Sequence, residues 1–248
     1  MTTPAFIVGN GPSLKETNLD LLVGHTAFGM NRIHLHYDKP GCEIWRPTHY
    51  AFVDYQTTMA QSEYMVELKN HIDAGEEIYV SEKLRLATYN KLKSPEAMPE
   101  NIHFLDMCSR HFGGDYLSPS APKRWHLEEP GGARWCGFAS GLFVAMQVAA
   151  DLGHNPLYLL GCDLGYKPMV GEIDPNHMDE GYVKTYPGRG VTGEKIMPPG
   201  YNEYTNAKLR YGHRVAKFSC EEMGLEVFNC TVGGQLEVYE RKRLEDVV

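Results

Sequence analysis

No run of apolar residues in this 248-residue sequence approaches eighteen, so it holds no candidate transmembrane helix. No basic stretch precedes its first apolar run, which argues against a signal peptide and leads us to expect a cytoplasmic protein. The Asn229-Cys230-Thr231 sequon then carries no meaning. Six cysteines, at 42, 108, 136, 162, 220 and 230, include no Cys-x-x-Cys pair. Several sit in apolar runs, so buried free thiols are expected, not disulfides or zinc ligands. Positive charge is short as well: 24 Lys and Arg face 32 Asp and Glu, a net charge of −8. That argues against a general nucleic-acid binder, although local backbone dipoles let an acidic protein hold a small anion. Gly-Lys-Ser/Thr is missing, which excludes a P-loop.

What is present is globular in character, with 42% apolar and 23% charged residues. The length suffices for a full core, as one large or two small domains. Neither an internal repeat nor an interdomain linker is visible. The most informative stretch runs from Phe6 to Leu14. Phe6-Ile7-Val8 reads as a buried strand that stops at Gly9-Asn10-Gly11. The two glycines allow a sharp turn and close backbone approach by a ligand. Pro12 suits the first position of a helix, and Ser13 with Glu16 has the spacing of a capping box. Such a strand-to-helix turn would leave amides pointing outward as an anion site. The third glycine of Gly-x-Gly-x-x-Gly is absent, since position 14 is Leu, and a tight turn without a ligand is the competing reading.

Further strands are expected at 25–30, 48–53, 77–80, 101–105, 156–160 and 225–228. Short helical segments are expected at 17–23 and 84–92. Met59, Tyr64, Leu68 and Ile72 recur at near-helical spacing and predict a helix over 55–74, stopped by Gly75. Residues 138–152 are apolar almost all round and predict a buried helix. Ala207, Tyr211, Val215 and Phe218 mark an amphipathic helix ending near Met223. The charged tail from Gly233 suits a short closing helix. Two stretches, 108–136 and 165–200, lose all periodicity, as functional loops or lids do.

Strands alternating with helices imply an α/β fold with a mostly parallel sheet and right-handed crossovers. In such sheets ligands bind beyond the carboxyl ends of the strands. Asn10, Asn31, Asp54 and Asp163 all fall at strand ends, and Ser140 opens the buried helix. Each has a structural alternative: Asn31 and Asp54 as caps, Ser140 bonding back to the chain, Asp163 bracing a turn. Their coincidence at strand ends favours a site.

Gly9-Asn10-Gly11-Pro12-Ser13-Leu14, Asn31, Ser140-Gly141 and Leu160-Gly161-Cys162-Asp163 together resemble the bacterial sialyltransferases of glycosyltransferase family 42. The same layout is similar to the motility-associated-factor glycosyltransferases and to the archaeal 6-hydroxymethylpterin diphosphokinases. The resemblance implies one Rossmann-like domain over 1–248 that binds a CMP-sugar, with irregular lid regions at 108–136 and 165–200. It implies metal-independent sugar transfer with no cofactor, a nucleotide-sugar donor, and a glycan or glycolipid acceptor, as in lipopolysaccharide biosynthesis. Asn10 and Asn31 would hold nucleotide and sugar, and Ser140 would touch the donor sugar. Gly9, Gly11, Ser13, Arg32, Asp54, Gly141, Gly161 and Asp163 would complete the binding surface.

By the same resemblance His177 would be the general base, since a neutral imidazole suits an acceptor hydroxyl. Its polar, proline-turned neighbours place it in a loop, where a plain surface histidine is the alternative. Tyr166 and Tyr182 would help the leaving phosphate without a metal. The absence of Asp-x-Asp agrees with metal-free transfer, and Glu172-Ile173-Asp174 reads as a solvated loop. Two departures are evident. Gly137 stands where the sialyltransferases carry an arginine, with Arg134 three residues earlier, and Asp54 replaces an asparagine. A carboxylate at 54 would repel that of a nonulosonic acid. Two other functions share the pattern. One is a magnesium-dependent diphosphokinase with Asp54 and Asp163 as metal ligands, and the other is a non-catalytic nucleotide-binding protein. A monomer and a homo-oligomer are equally compatible with the sequence.

Overall fold

A computed structural model describes residues 2–53, 64–85, 88, 99–107, 125, 135–137, 140–168, 173–182 and 201–248. Its frame is one sheet of eight parallel strands. They are β1 (Ala5–Val8), β2 (Ala27–Met30), β3 (His49–Phe52), β4 (Glu77–Ser81), β5 (Ile102–Leu105), β6 (Leu157–Leu160), β7 (Val227–Asn229) and β8 (Glu240–Arg241). The order across the sheet is β5-β4-β3-β2-β1-β6-β7-β8. The chain steps outward from β1 to β5, then returns to lay β6 on the other side of β1. Strand order therefore reverses between β1 and β6, and a crevice opens there at the carboxyl ends.

Every residue of β1, β2 and β6 is buried, as expected of strands covered on both faces. Among the described residues three α-helices join the sheet: α1 (Tyr64–Asp73), α2 (Gly141–Asp151) and α3 (Tyr201–Glu222). Ala5 and Ile7 face the layer that holds α2 and α3. Phe6 and Val8 face the opposite layer, with Trp45, Tyr50 and Leu68. Helix α2 packs on β1, β2 and β3, and ten of its eleven residues are buried, which explains a sequence apolar all round.

The strands expected from sequence all form, within a residue or two at their ends. The helices differ more. Residues 12–16 and 19–22 make 3₁₀ turns and not α-helix. Asp20 serves there as an anchor, its carboxylate accepting from the amides of Glu43, Ile44 and Trp45. Helix α3 begins six residues before its apolar stripe. The tail adds strand β8 to the sheet edge and a 3₁₀ turn at Leu244–Asp246 instead of a closing α-helix. Arg241 fixes that edge by donating to the carbonyl of Thr231.

Of the expected helices, residues 54–63 and most of 85–92 lie outside the described residues, as does most of the irregular stretch 108–136. Five cysteines are free and buried, as anticipated; Cys108 lies outside the described residues. No helix among the described residues is long and apolar enough to cross a membrane.

Candidate functional site

A cleft of about 440 Å³ opens where strand order reverses. That is within the usual size of a small-molecule site. Gly9, Asn10 and Gly11 line it from β1, Asn31 from β2, and Ser140 from the start of α2. Gly161, Asp163, Tyr166 and Lys167 follow from β6, and His177 and Tyr182 from the segment beyond. Thr205 on α3 and Gln235 close the far wall. Three candidates from the sequence do not line the cleft: Ser13, Arg32 and Gly141. Asp54 lies outside the described residues.

The turn after β1 is not the amide cradle that the sequence suggested. Gly9 donates to the Leu160 carbonyl at 2.8 Å and Gly11 to the Gly161 carbonyl at 2.9 Å. The Ser13 amide donates to Asp163 Oδ1 at 3.2 Å, and the Leu14 amide to the Gly11 carbonyl. Strands β1 and β6 are neighbours, and their exit turns go on bonding past the last paired residues. The glycines serve that approach. A Cβ on Gly9 would lie 2.5 Å from the Gly161 carbonyl oxygen, and one on Gly11 only 1.9 Å from Asp163 Oδ2. What comes close is a second backbone turn, not a ligand.

Ser13 makes no capping box either. Pro12 takes the first helical position, so Gly11 becomes the N-cap and Ser13 already lies inside the turn. Its hydroxyl donates instead to Asp163 Oδ2 at 2.7 Å. Both carboxylate oxygens of Asp163 are thus held by Ser13. Burial pushes this carboxyl above its ordinary pKa, against the lowering effect of the Ser13 bonds. Asp163 is the brace that ties the two turns beneath the cleft.

The other candidates keep polar groups for the cleft. Asn10 donates through Nδ2 to the Met30 carbonyl, while its Oδ1 is buried without a hydrogen-bond partner. Asn31 holds a left-handed backbone with φ 51°. Its carbonyl accepts from the Tyr50 hydroxyl, and its side chain lies over Gly141, where a Cβ would stand 3.7 Å from Oδ1. Ser140 caps α2 by accepting from the Leu142 amide at 3.2 Å. That cap uses acceptor capacity and leaves the O–H donor for a ligand.

His177 is held in the cleft by a buried carboxylate. Its Nδ1 lies 2.6 Å from Asp174 Oδ2, and Asp174 is only 2% exposed. The other carboxylate oxygen accepts from the Asn176 amide at 2.9 Å. An ionised carboxylate can only accept, so the proton of a neutral imidazole sits on Nδ1 and Nε2 carries the lone pair. The His177 ring lies flat on Tyr182, with centroids 3.8 Å apart and planes 1° from parallel. Tyr166 meets it edge-on at 6.0 Å. Residues 174–182 are pinned to the sheet end, since Met178 donates to the Asn10 carbonyl.

Sequence reasoning missed several lining or supporting groups. Asp174 is no solvated loop residue: it is buried and orients His177. The Asp-x-x-His spacing was the signal. Lys167 is the one lysine or arginine among the described lining residues. Its backbone is clamped both ways by Asn176, which accepts from the Lys167 amide at 2.7 Å and donates to its carbonyl at 2.8 Å. Thr205 Oγ1 is buried without a partner, and no sequence signal marked it, because the stripe of α3 starts later. Two lining oxygens, Asn10 Oδ1 and Thr205 Oγ1, are therefore buried without a hydrogen-bond partner among the described residues. No three His, Cys, Asp or Glu side chains gather to hold a metal among the described residues.

No family model and no curated protein matches the sequence. Solved structures do match in shape. The MAf glycosyltransferase from Magnetospirillum magneticum AMB-1 superposes with a TM-score of 0.51 at 15% identity. The match takes in 100% of this chain but only 34% of that one, so the chain spans about a third of that relative's length. The sialyltransferase CstII from Campylobacter jejuni, in complex with the substrate analogue CMP-3FNeuAc, gives 0.50 at 17% identity, over 96% of this chain and 85% of that one. At such identities these likenesses establish a shared fold.

Proposed function

We propose that this chain is a glycosyltransferase that uses a nucleotide-activated sugar, most specifically a CMP-sugar, with His177 as general base. The observation that carries the proposal is the Asp174–His177 pair at 2.6 Å, opening on one cleft with Asn10, Asn31 and Ser140. The fold shared with two glycosyltransferases, one solved with a CMP-sugar analogue, supports it as analogy.

In this reading the nucleotide lies along the β1 and β6 turns, against Asn10, Asn31 and Ser140. His177 Nε2 takes the proton of the acceptor hydroxyl as that oxygen bonds to the anomeric carbon. The bond from that carbon to the phosphate oxygen breaks, and CMP leaves with the electron pair. Protonated His177 then returns its proton to solvent. Asp174 holds the imidazole in the required tautomer and stabilises the imidazolium. The hydroxyls of Tyr166 and Tyr182 and the ammonium of Lys167 are the groups available to the leaving phosphate. The step needs no metal and no cofactor.

Isothermal titration with CMP and CDP, with UMP and AMP as controls, tests the nucleotide. Binding of the cytidine nucleotides in preference to the others is expected. Absence of any heat at millimolar CMP would overturn the donor assignment. Turnover of a CMP-sugar in the presence of EDTA is the companion result expected of a metal-free mechanism.

A further inference from the structure

The Arg32 side chain is 3% exposed and does not itself line the cleft. A buried guanidinium needs strong partners, and one of those of Arg32 belongs to the cleft. Nη1 donates to the backbone carbonyl of Tyr182, 150 positions away in sequence. The same guanidinium stands 5.7 Å from the centroid of the Tyr182 ring, within range of a cation–π contact. That ring is the surface on which the His177 imidazole lies flat. Arg32 also directly follows Asn31, whose left-handed backbone is held by Tyr50. The end of β2 and the segment carrying His177 are thus joined through one buried cation.

From this geometry we infer that Arg32 is a positioning residue for His177: it fixes the carbonyl and ring of Tyr182, and Tyr182 sets the plane of the imidazole. The inference rests on the proposed role of His177 as base. Asp174 fixes the ring by a bond at one edge only, which leaves rotation about that bond. The flat stack on Tyr182 removes that freedom. Without Arg32 the carbonyl and ring of Tyr182 lose this hold, although its amide keeps the bond to the Asp179 carbonyl, and Nε2 no longer points consistently at the acceptor hydroxyl. Misplacement of a reacting group by about 1 Å can cost on the order of 10²-fold in rate.

The test combines three readouts on Arg32→Met, Arg32→Lys and Tyr182→Leu. His177 ring protons in the wild type should be shifted upfield by the stacked tyrosine, as seen by NMR on selectively labelled histidine. Arg32→Met should lose most of that shift and lower kcat about 10- to 100-fold, with the donor KM and the affinity for CMP within about twofold. Arg32→Lys should keep part of both. Tyr182→Leu removes both the stacked ring and a hydroxyl assigned to the leaving phosphate, so it should lose the shift fully and lower kcat at least as much as Arg32→Met. Arg32→Lys carries the test of the linkage if Arg32→Met does not fold. An unchanged His177 signal and kcat in a folded Arg32→Met protein would overturn the inference. So would a parallel loss of CMP affinity, which would make Arg32 a binding residue. If the wild type neither binds CMP nor transfers sugar, the functional proposal fails, while the NMR shift still decides whether Arg32 positions the ring.

Discussion

Two short segments meet at the cleft and are built in opposite ways. The turn at 9–13 has most of its amides engaged: those of Gly9, Gly11 and Ser13 donate to backbone or to Asp163, and its glycines make room for the turn after β6. The segment at 174–182 uses backbone contacts and one buried carboxylate to present side chains outward, with His177 between Tyr182 and Tyr166. The first is a joint and the second a working surface. Glycine-rich turns at the end of a first strand attract attention because some of them bind phosphate. Here the glycines answer to a neighbouring backbone, and the polar groups that line the cleft are mostly side chains.

Removing the working surface should have the largest effect and leave the joint intact. His177→Ala is expected to lower kcat by about 10²- to 10⁴-fold, with thermal stability almost unchanged. Asp174→Asn should lose about 10- to 100-fold, the usual cost of removing a partner that orients a histidine. Steady-state kinetics with a CMP-sugar checks both, and equal activity of His177→Ala and wild type would break the comparison. The joint should respond in the opposite sense. Gly11→Ala puts a methyl 1.9 Å from Asp163 Oδ2 and 2.6 Å from the Gly161 carbonyl, and should cost about 3 kcal/mol or more in urea unfolding. An unchanged midpoint would mean that the two turns are not locked.

Lys167 sharpens the contrast at the level of ligand charge. Lys167→Met is expected to weaken CMP binding about tenfold and to leave cytidine binding alone, since only CMP carries the phosphate. Calorimetry with both ligands checks it, and equal weakening of the two would place the lysine elsewhere.

The smallest effect concerns the scaffold behind the cleft. Burial in α3 pushes the His213 imidazole down to about 3, and burial beside Arg32 pushes His34 to about 4. In the unfolded chain each would take up a proton near 6.5. A depressed folded pKa means that the unfolded state binds more protons below that point. Stability is therefore full above about pH 6.5 and falls as pH drops toward 4. Urea midpoints between pH 7.5 and 5 should show the decline, and His213→Gln should flatten it. An identical slope in that variant would assign the pH dependence to other groups.

Local pattern made much of the frame legible. Apolar runs such as Phe6-Ile7-Val8 and 157–160 can only be buried, and alternation with helices sets a parallel sheet whose polar strand ends gather on one edge. That reasoning placed Asn10, Asn31 and Ser140, the family resemblance added His177, and all four line one cleft. Ser13, Asp163 and Asp174 were legible as polar residues but not as partners. A serine three residues before a glutamate looks like a cap until an aspartate 150 positions away claims its hydroxyl. An aspartate among Pro, Asn and His looks solvated until the chain folds over it.

The sequence by itself determined the layers, the order of strand and helix, and the edge on which chemistry could gather, because periodicity and burial act over a few neighbours at a time. Which groups are used up in holding the frame and which line the cleft unbonded depends on contacts between distant segments. Hydrogen bonding is a pairing of atoms in space, and the partners of Gly11, Ser13, Arg32 and His177 are fixed by how β1, β2 and β6 are brought side by side.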